Sequence, residues 1–225
     1  MASIERYSST LDGDPYSALL FANPDSSGPR ERMSIRVSLD EGQTWPYKKK
    51  IDDLPAAYSC MTILDNGDIG IFYETGDTWP YATMTFARFP IEWVVGTTDT
   101  DTDGVSDFEE DVLGLDKTDI TDGAKDSDGD GKSDFDEYQA LTDWNNGSDY
   151  LKLEDIVVNG STTEVTVETK LGRVYELQSS TTLEANSWTN VSNAEAGTGG
   201  DIQFNYPASD PVDQKLFFRI KVSQP

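Results

Sequence analysis

Asp99-Thr100-Asp101-Thr102-Asp103-Gly104-Val105-Ser106-Asp107-Phe108-Glu109-Glu110 is answered twenty-seven residues later by Asp126-Ser127-Asp128-Gly129-Asp130-Gly131-Lys132-Ser133-Asp134-Phe135-Asp136-Glu137. Each stretch sets carboxylates at positions 1, 3, 5, 9 and 12 of a loop with glycine at 6, which is the pattern of a calcium loop. The expected ligands are Asp99, Asp101, Asp103, Asp107 and Glu110 in the first, and Asp126, Asp128, Asp130, Asp134 and Glu137 in the second, with the carbonyls of Val105 and Lys132 at position 7. Ca2+ is therefore the expected cofactor. Working outward, the pair divides the chain into residues 1–96, an Asp-rich segment 97–150, and residues 151–225.

The charge follows that division. The 225 residues carry a formal charge of −25 with no histidine, and 97–150 alone, with fifteen Asp, three Glu and three Lys, holds −15 of it. Without divalent cations such carboxylates repel one another at short range and oppose compaction; with calcium they become ligands. The acidic balance argues against nucleic acid and against anionic membrane surfaces, both of which recruit Lys and Arg. A single cysteine, Cys60, leaves no internal disulfide to form. Neither a membrane-spanning apolar run nor a signal peptide is expected in the chain as given.

Before the loops the pattern is strand-like. Ala18–Phe21, Met33–Ser38, Met61–Leu64, Ile69–Tyr73 and Thr83–Phe89 are short apolar or alternating runs, and Asn66-Gly67-Asp68 between two of them reads as a hairpin turn. Each acidic loop runs into a short helical pattern opened by a serine with an acidic residue three positions on, Ser106/Glu109 and Ser133/Asp136, as in a capping box. Gly114 and Thr142-Asp143 should end these helices. Trp93-Val94-Val95-Gly96 reads as strand, so no entering helix is expected before Asp99. After Tyr150, six short strands (Leu151–Val158, Glu164–Glu168, Val174–Gln178, Trp188–Val191, Ile202–Tyr206, Leu216–Val222), split by Asn159-Gly160-Ser161 and Gly197-Thr198-Gly199-Gly200, suggest a small β-sandwich.

The twin loops resemble thrombospondin type 3-like and dockerin-like repeats, which bind calcium without an entering helix and stiffen spacers between extracellular domains. A second motif, Ser38-Leu39-Asp40-Glu41-Gly42-Gln43-Thr44-Trp45, fits S-x-D-x-G-x-T-W, the Asp box of sialidase-like propellers. With it, Leu20-Phe21-Ala22-Asn23-Pro24, Arg30-Glu31-Arg32-Met33-Ser34-Ile35-Arg36, Ala57-Tyr58-Ser59-Cys60-Met61, Ile71-Phe72-Tyr73-Glu74 and Thr85-Phe86-Ala87-Arg88-Phe89-Pro90-Ile91-Glu92-Trp93 follow the C-terminal order of bacterial exo-α-sialidases (neuraminidases). Residues 1 to about 95 resemble that family. The resemblance implies a mainly β fold: a partial sialidase-type β-propeller of about two blades, then an EF-hand-like calcium linker with short helices, then the β-sandwich. Since propellers close with about four to eight blades, the missing N-terminal blades are expected in a full-length protein.

By the same resemblance, Asp40 and Gly42 shape a turn against which Trp45 packs, Tyr58 is the catalytic nucleophile, Arg30 grips the sialic acid carboxylate, and Glu74 orients a further arginine. Arg32 and Arg36 compete with Arg30, which stands three residues before the apolar Met33 as the family pattern requires. The chemistry is coherent. A sugar with a carboxylate on its anomeric carbon repels a carboxylate nucleophile but not a neutral phenol, and an arginine fork pairs two-on-two with that carboxylate. A phenol with a free pKa of about 10 needs a neighbouring base. That base, two more arginines and the acid/base aspartate are supplied by earlier blades in the family, so the chain alone is expected to be inactive towards sialylated glycans. The alternative is a non-catalytic, calcium-stabilised glycan-binding or adhesion module. Either belongs on the cell surface or in secreted material. In the last part, Val174–Ser180, Ser187-Trp188 and Phe217–Ile220 resemble C-terminal modules of secreted bacterial proteins; Trp188 is read as buried rather than as a sugar platform.

Overall fold

The computed structural model describes residues 2–160, 162–207 and 215–223. It is mainly β and divides into two compact units, residues 1–123 and 124–225. The division falls inside the Asp-rich segment, with one acidic loop in each unit.

The first unit holds two antiparallel sheets. Strands β1 (Ser3–Ser8), β2 (Ala18–Pro24), β3 (Met33–Ser38) and β4 (Tyr47–Lys50) pair in chain order, and β5 (Ala56–Ile63), β6 (Ile69–Thr75) and β7 (Thr83–Phe89) form a second meander. A period of two puts Ala18, Leu20 and Ala22, then Met33, Ile35 and Val37, then Ile69, Ile71 and Tyr73 on inner faces, and these meet in one core. The hairpin expected at Asn66-Gly67-Asp68 is present, with Gly67 at φ 86° and its N–H on the Leu64 carbonyl at 2.8 Å. Two strands exceed the sequence expectation: β1 and β4 are short and mostly polar, and carry little apolar signal.

The Asp-box octapeptide is the turn from β3 to β4. Asp40 Oδ1 accepts from Ser38 Oγ at 2.7 Å and from the Thr44 N–H at 2.8 Å, while its Oδ2 accepts from Thr44 Oγ1 at 2.7 Å. Glu41 and Gly42 take positive φ (57° and 83°), and Trp45 lies 5.5 Å from the Phe21 ring of β2 with its Nε1–H on the Gly42 carbonyl at 3.2 Å. The turn thus has the form expected of it.

Trp93-Val94-Val95 does not form a strand. Ile91–Val95 is a single helical turn, α1, opened by Pro90 and closed at Gly96. Spacing explains the difference: Ile91 and Val94 are three apart, both face the core, and one turn suffices to bury them despite their β-branched side chains. The next helix, α2 (Asp107–Leu113), has the full capping box between Ser106 and Glu109 and ends at Gly114 in the left-handed region. It is docked by Phe108, which sits edge-on to Tyr16 and Tyr47 at 5.7 and 5.2 Å.

In the second unit, α3 (Asp134–Ala140) begins at a Ser133 cap and ends with Leu141 at φ 59°, one residue before the expected turn. Five strands of seven residues follow: β8 (Leu153–Asn159), β9 (Thr162–Glu168), β10 (Val174–Ser180), and, after the two-residue strands β11 (Thr189–Asn190) and β12 (Glu195–Ala196), β13 (Asp201–Pro207) and β14 (Phe217–Ser223). One sheet runs β13-β9-β8; the other is built on β10 with β14, β11 and β12. They enclose a core of Val165, Val167, Tyr175, Leu177, Ile202 and Phe204. Gly160 turns β8 into β9 at φ 62°, and Ser161, assigned to the same turn, lies outside the described residues. The strand expected over Trp188–Val191 shrinks to Thr189–Asn190. Trp188 is covered by the Arg219 guanidinium at 4.4 Å. Arg173 donates to the carbonyls of Gln139 (2.6 Å) and Tyr138 (3.0 Å) at the end of α3, where a cation meets the helix dipole favourably.

Candidate functional site

Tyr58 occupies an irregularity. The β5–β6 register shifts between Ala56 and Ser59, and a bulge of this kind re-aims the extra side chain. Tyr58 is 38 % exposed, and its own backbone N–H donates to Glu74 Oε2 at 3.2 Å. Glu74 lies on β6, where period-two alternation turns it and Phe72 away from the core that takes Ile71 and Tyr73.

Arg30 arrives from the β2–β3 connection, which is tied to the start of β5: the Ala56 N–H donates to the Arg30 carbonyl at 2.9 Å, the Arg32 N–H to the Leu54 carbonyl at 3.0 Å, and Glu31 bridges Pro55. This pairing brings the Arg30 guanidinium to 5.6 Å from the Tyr58 ring centroid, and its Nη1 donates to the Tyr81 hydroxyl at 2.7 Å. Hydrogen bonding to Tyr58, with the neighbouring Tyr81, pushes the guanidinium further up from its ordinary range. Tyr58, Arg30 and Glu74 are therefore one cluster, with Tyr58 and Arg30 exposed and Glu74 half-buried. The competing arginines are placed otherwise. Arg36 is held by Asn23 and Asp25 at 2.6 Å each, and Arg32 has Glu31 at 3.6 Å. Tyr81 and its edge-on neighbour Trp79 (5.1 Å) extend the cluster. Their only signal was two aromatics in a turn-rich connection, Gly76-Asp77-Thr78-Trp79-Pro80-Tyr81.

The acidic loops form the second candidate. In the first, one carboxylate oxygen each of Asp101, Asp103, Glu110 and Asp122 lie within 4.8 Å of one another. Glu110 is fully buried, and burial, then the charges of Asp101 and Asp103, push its carboxyl up to about 7. Asp99 accepts from the Thr102 and Gly104 N–H groups, which shape the loop, and both oxygens of Asp107 accept from Thr100. Val105 is buried at position 7. In the second loop, Asp126, Asp128 and Asp130 form the corresponding group. Glu137 is buried and likewise pushed up to about 7, by burial and then by Asp128 and Asp130. Asp134 accepts from Ser127 N–H and Oγ at 2.7 Å each, as Asp107 does from Thr100, and Lys132 holds position 7. The position-9 aspartates expected as ligands are thus engaged by their own loops, whereas Asp122, which no loop position predicts, joins the first group. The donor set, oxygen alone and acidic, fits a hard divalent cation such as Ca2+.

No protein-family model matches the chain. Over 78 residues, 35% of its length, it is 37% identical to a sialidase of Micromonospora viridifaciens, of which it covers 11%. Over 80 residues (34% of the chain) it is 31% identical to a sialidase of Bacteroides fragilis (strain YCH46), of which it covers 14%. Among solved structures, the Hadza microbial sialidase Hz136 is 32% identical over 42% of this chain and 18% of that one, with a TM-score of 0.35. The chain thus spans about a tenth of the length of the first of these relatives.

Proposed function

We propose that the Tyr58–Arg30–Glu74 cluster is part of an exo-α-sialidase site, releasing terminal sialic acid from glycans with retention of configuration. The observation that carries this reading is the Arg30 guanidinium stacked over the exposed ring of Tyr58, beside Glu74. In it, Tyr58 gives its proton to the site's base and attacks the anomeric carbon as a phenolate while the bond to the aglycone breaks, the aglycone oxygen leaving with a proton from the site's acid, and Arg30 pairs with the adjacent sugar carboxylate. The resulting aryl glycoside is then opened by water, the two displacements together preserving configuration. Glu74 holds the Tyr58 backbone and orients a guanidinium from another part of the site. The two sheets of the first unit serve as about two blades of a β-propeller, whose other blades would supply the base, the acid and the remaining arginines. The acidic loops act as calcium sites that stabilise the chain, and such sites suit a secreted or cell-surface setting, where calcium is plentiful.

The test is hydrolysis of a fluorogenic sialoside. The chain alone should give no turnover. A polypeptide that joins it to the missing blades should be active, and Tyr58→Phe should lower kcat by about a thousandfold or more. Full activity of the phenylalanine variant would refute the nucleophile. The exposed aromatics Trp79 and Tyr81 beside Arg30 also suit a sugar-binding role without chemistry. Saturable binding of a sialoside to a longer polypeptide that never hydrolyses it would favour that second reading.

A further inference from the structure

We propose that the first acidic loop is completed from outside its twelve residues, by Asp122, and that this makes it the tighter of two inequivalent calcium sites. The inference rests on reading the loops as calcium sites and goes beyond it in naming a ligand and an order of affinity.

Five buried carboxylate oxygens in the first group have no hydrogen-bond partner: Asp101 Oδ2, Asp103 Oδ2, both oxygens of Glu110, and Asp122 Oδ1. Four carboxylates converging within 4.8 Å, one of them fully buried, repel one another unless a cation lies among them. Calcium takes six to eight oxygens and tolerates irregular geometry, whereas magnesium demands a regular octahedron and retains its waters. With no histidine in the chain, nitrogen-seeking metals find no imidazole ligand. Asp122 is held for the task. Its Oδ2 accepts from the Asp116 N–H at 2.8 Å, leaving Oδ1 for the group. The chain after Asp122 passes close to the group, since a Cβ on Gly123 would come within 2.2 Å of Asp103 Oδ2.

The repeat has a counterpart twenty-seven residues on, where Asp149 Oδ2 accepts from the Asp143 N–H at 3.3 Å. There the other oxygen, Oδ1, faces the Lys170 ammonium at 3.9 Å, and Asp149 is absent from the group formed by Asp126, Asp128 and Asp130. In the second loop, only Asp128 Oδ2 and Glu137 Oε2 are buried without a partner. The second site therefore offers fewer buried, unpartnered carboxylate oxygens to an ion and binds it more weakly. Filling the first site ties residues 114–123 to the first loop.

Calorimetric titration of the chelator-stripped chain with calcium chloride should resolve two events of different affinity. Asp122→Asn should weaken the tighter event at least tenfold and leave the weaker within about twofold; Asp149→Asn should spare the tighter event. Two equal sites, or a tighter event unmoved by Asp122→Asn, would overturn the proposal while leaving the loops as calcium sites. No binding at all would sink both. The unaltered chain offers a check independent of variant folding: trypsin cleavage after Lys117, inside the tied segment, should slow at least tenfold at calcium concentrations that fill only the tighter site. An unchanged rate overturns the proposal.

Discussion

At the scale of single residues, Asp40 and Tyr58 show two ways a position acquires meaning. Asp40 is fully specified by its neighbours in sequence: Thr44 and Ser38 bond its carboxylate and hold it down to about 2. The sign of the consequence follows. A carboxylate depressed in the fold contributes stability that is complete above its ordinary value of 3.8 and is lost as pH falls through about 2. Asp40→Asn should therefore melt below the unaltered chain by a constant margin from pH 8 to 5, and the margin should shrink on acidification towards pH 2. A margin independent of pH down to 2 would show that the charge is irrelevant. Tyr58 depends on distant contacts instead. Its identity was legible through the motif around it, but its exposure comes from a bulge opposite β6, and its partner Arg30 is delivered by the pairing of residues 30–32 with 54–56. Trp79 and Tyr81 are not legible in the sequence, because no local pattern marks an aromatic that is brought to a cluster only by a remote arginine.

At the scale of elements, the two acidic loops and their helices behave as local folding units whose stability is coupled to protonation. Serine caps, loop glycines and ligand spacing all lie within a dozen residues, so α2 and α3 could be placed from sequence to within a residue or two. α1 could not, since one turn packed by Ile91 and Val94 looks locally like a strand. Glu110 and Glu137 are both pushed up to about 7 from 4.5. Without a cation, the stability contributed by their protonated forms is fully present below about 4.5 and is lost as pH rises through about 7. The metal-free chain should thus melt at a lower temperature at pH 8 than at pH 5.5. Calcium binds the ionised forms and should raise the melting temperature more at pH 8. A chelator effect of equal size at both pH values would contradict the coupling.

At the scale of the whole molecule, two compact units with separate cores, one around Leu20, Ile35 and Ile71 and the other around Tyr175, Leu177 and Phe204, should unfold as two transitions. Phe108→Ala, which empties the contact of α2 with Tyr16 and Tyr47, should cost about 3–5 kcal/mol and move only the transition of the first unit. A single transition in calorimetry, shifted as a whole, would show the units to be coupled. By itself the sequence determined the period-two strands, the hairpin and Asp-box turns, the capped helices and the spacing of the acidic loops, because hydrogen bonds and side-chain alternation reaching only a few residues dictate them. Only the tertiary structure decided that Arg30 lies over Tyr58, that Asp122 joins the first acidic group, and that the chain divides at residue 123. Each of these depends on contacts between segments far apart along the chain, which no local pattern encodes.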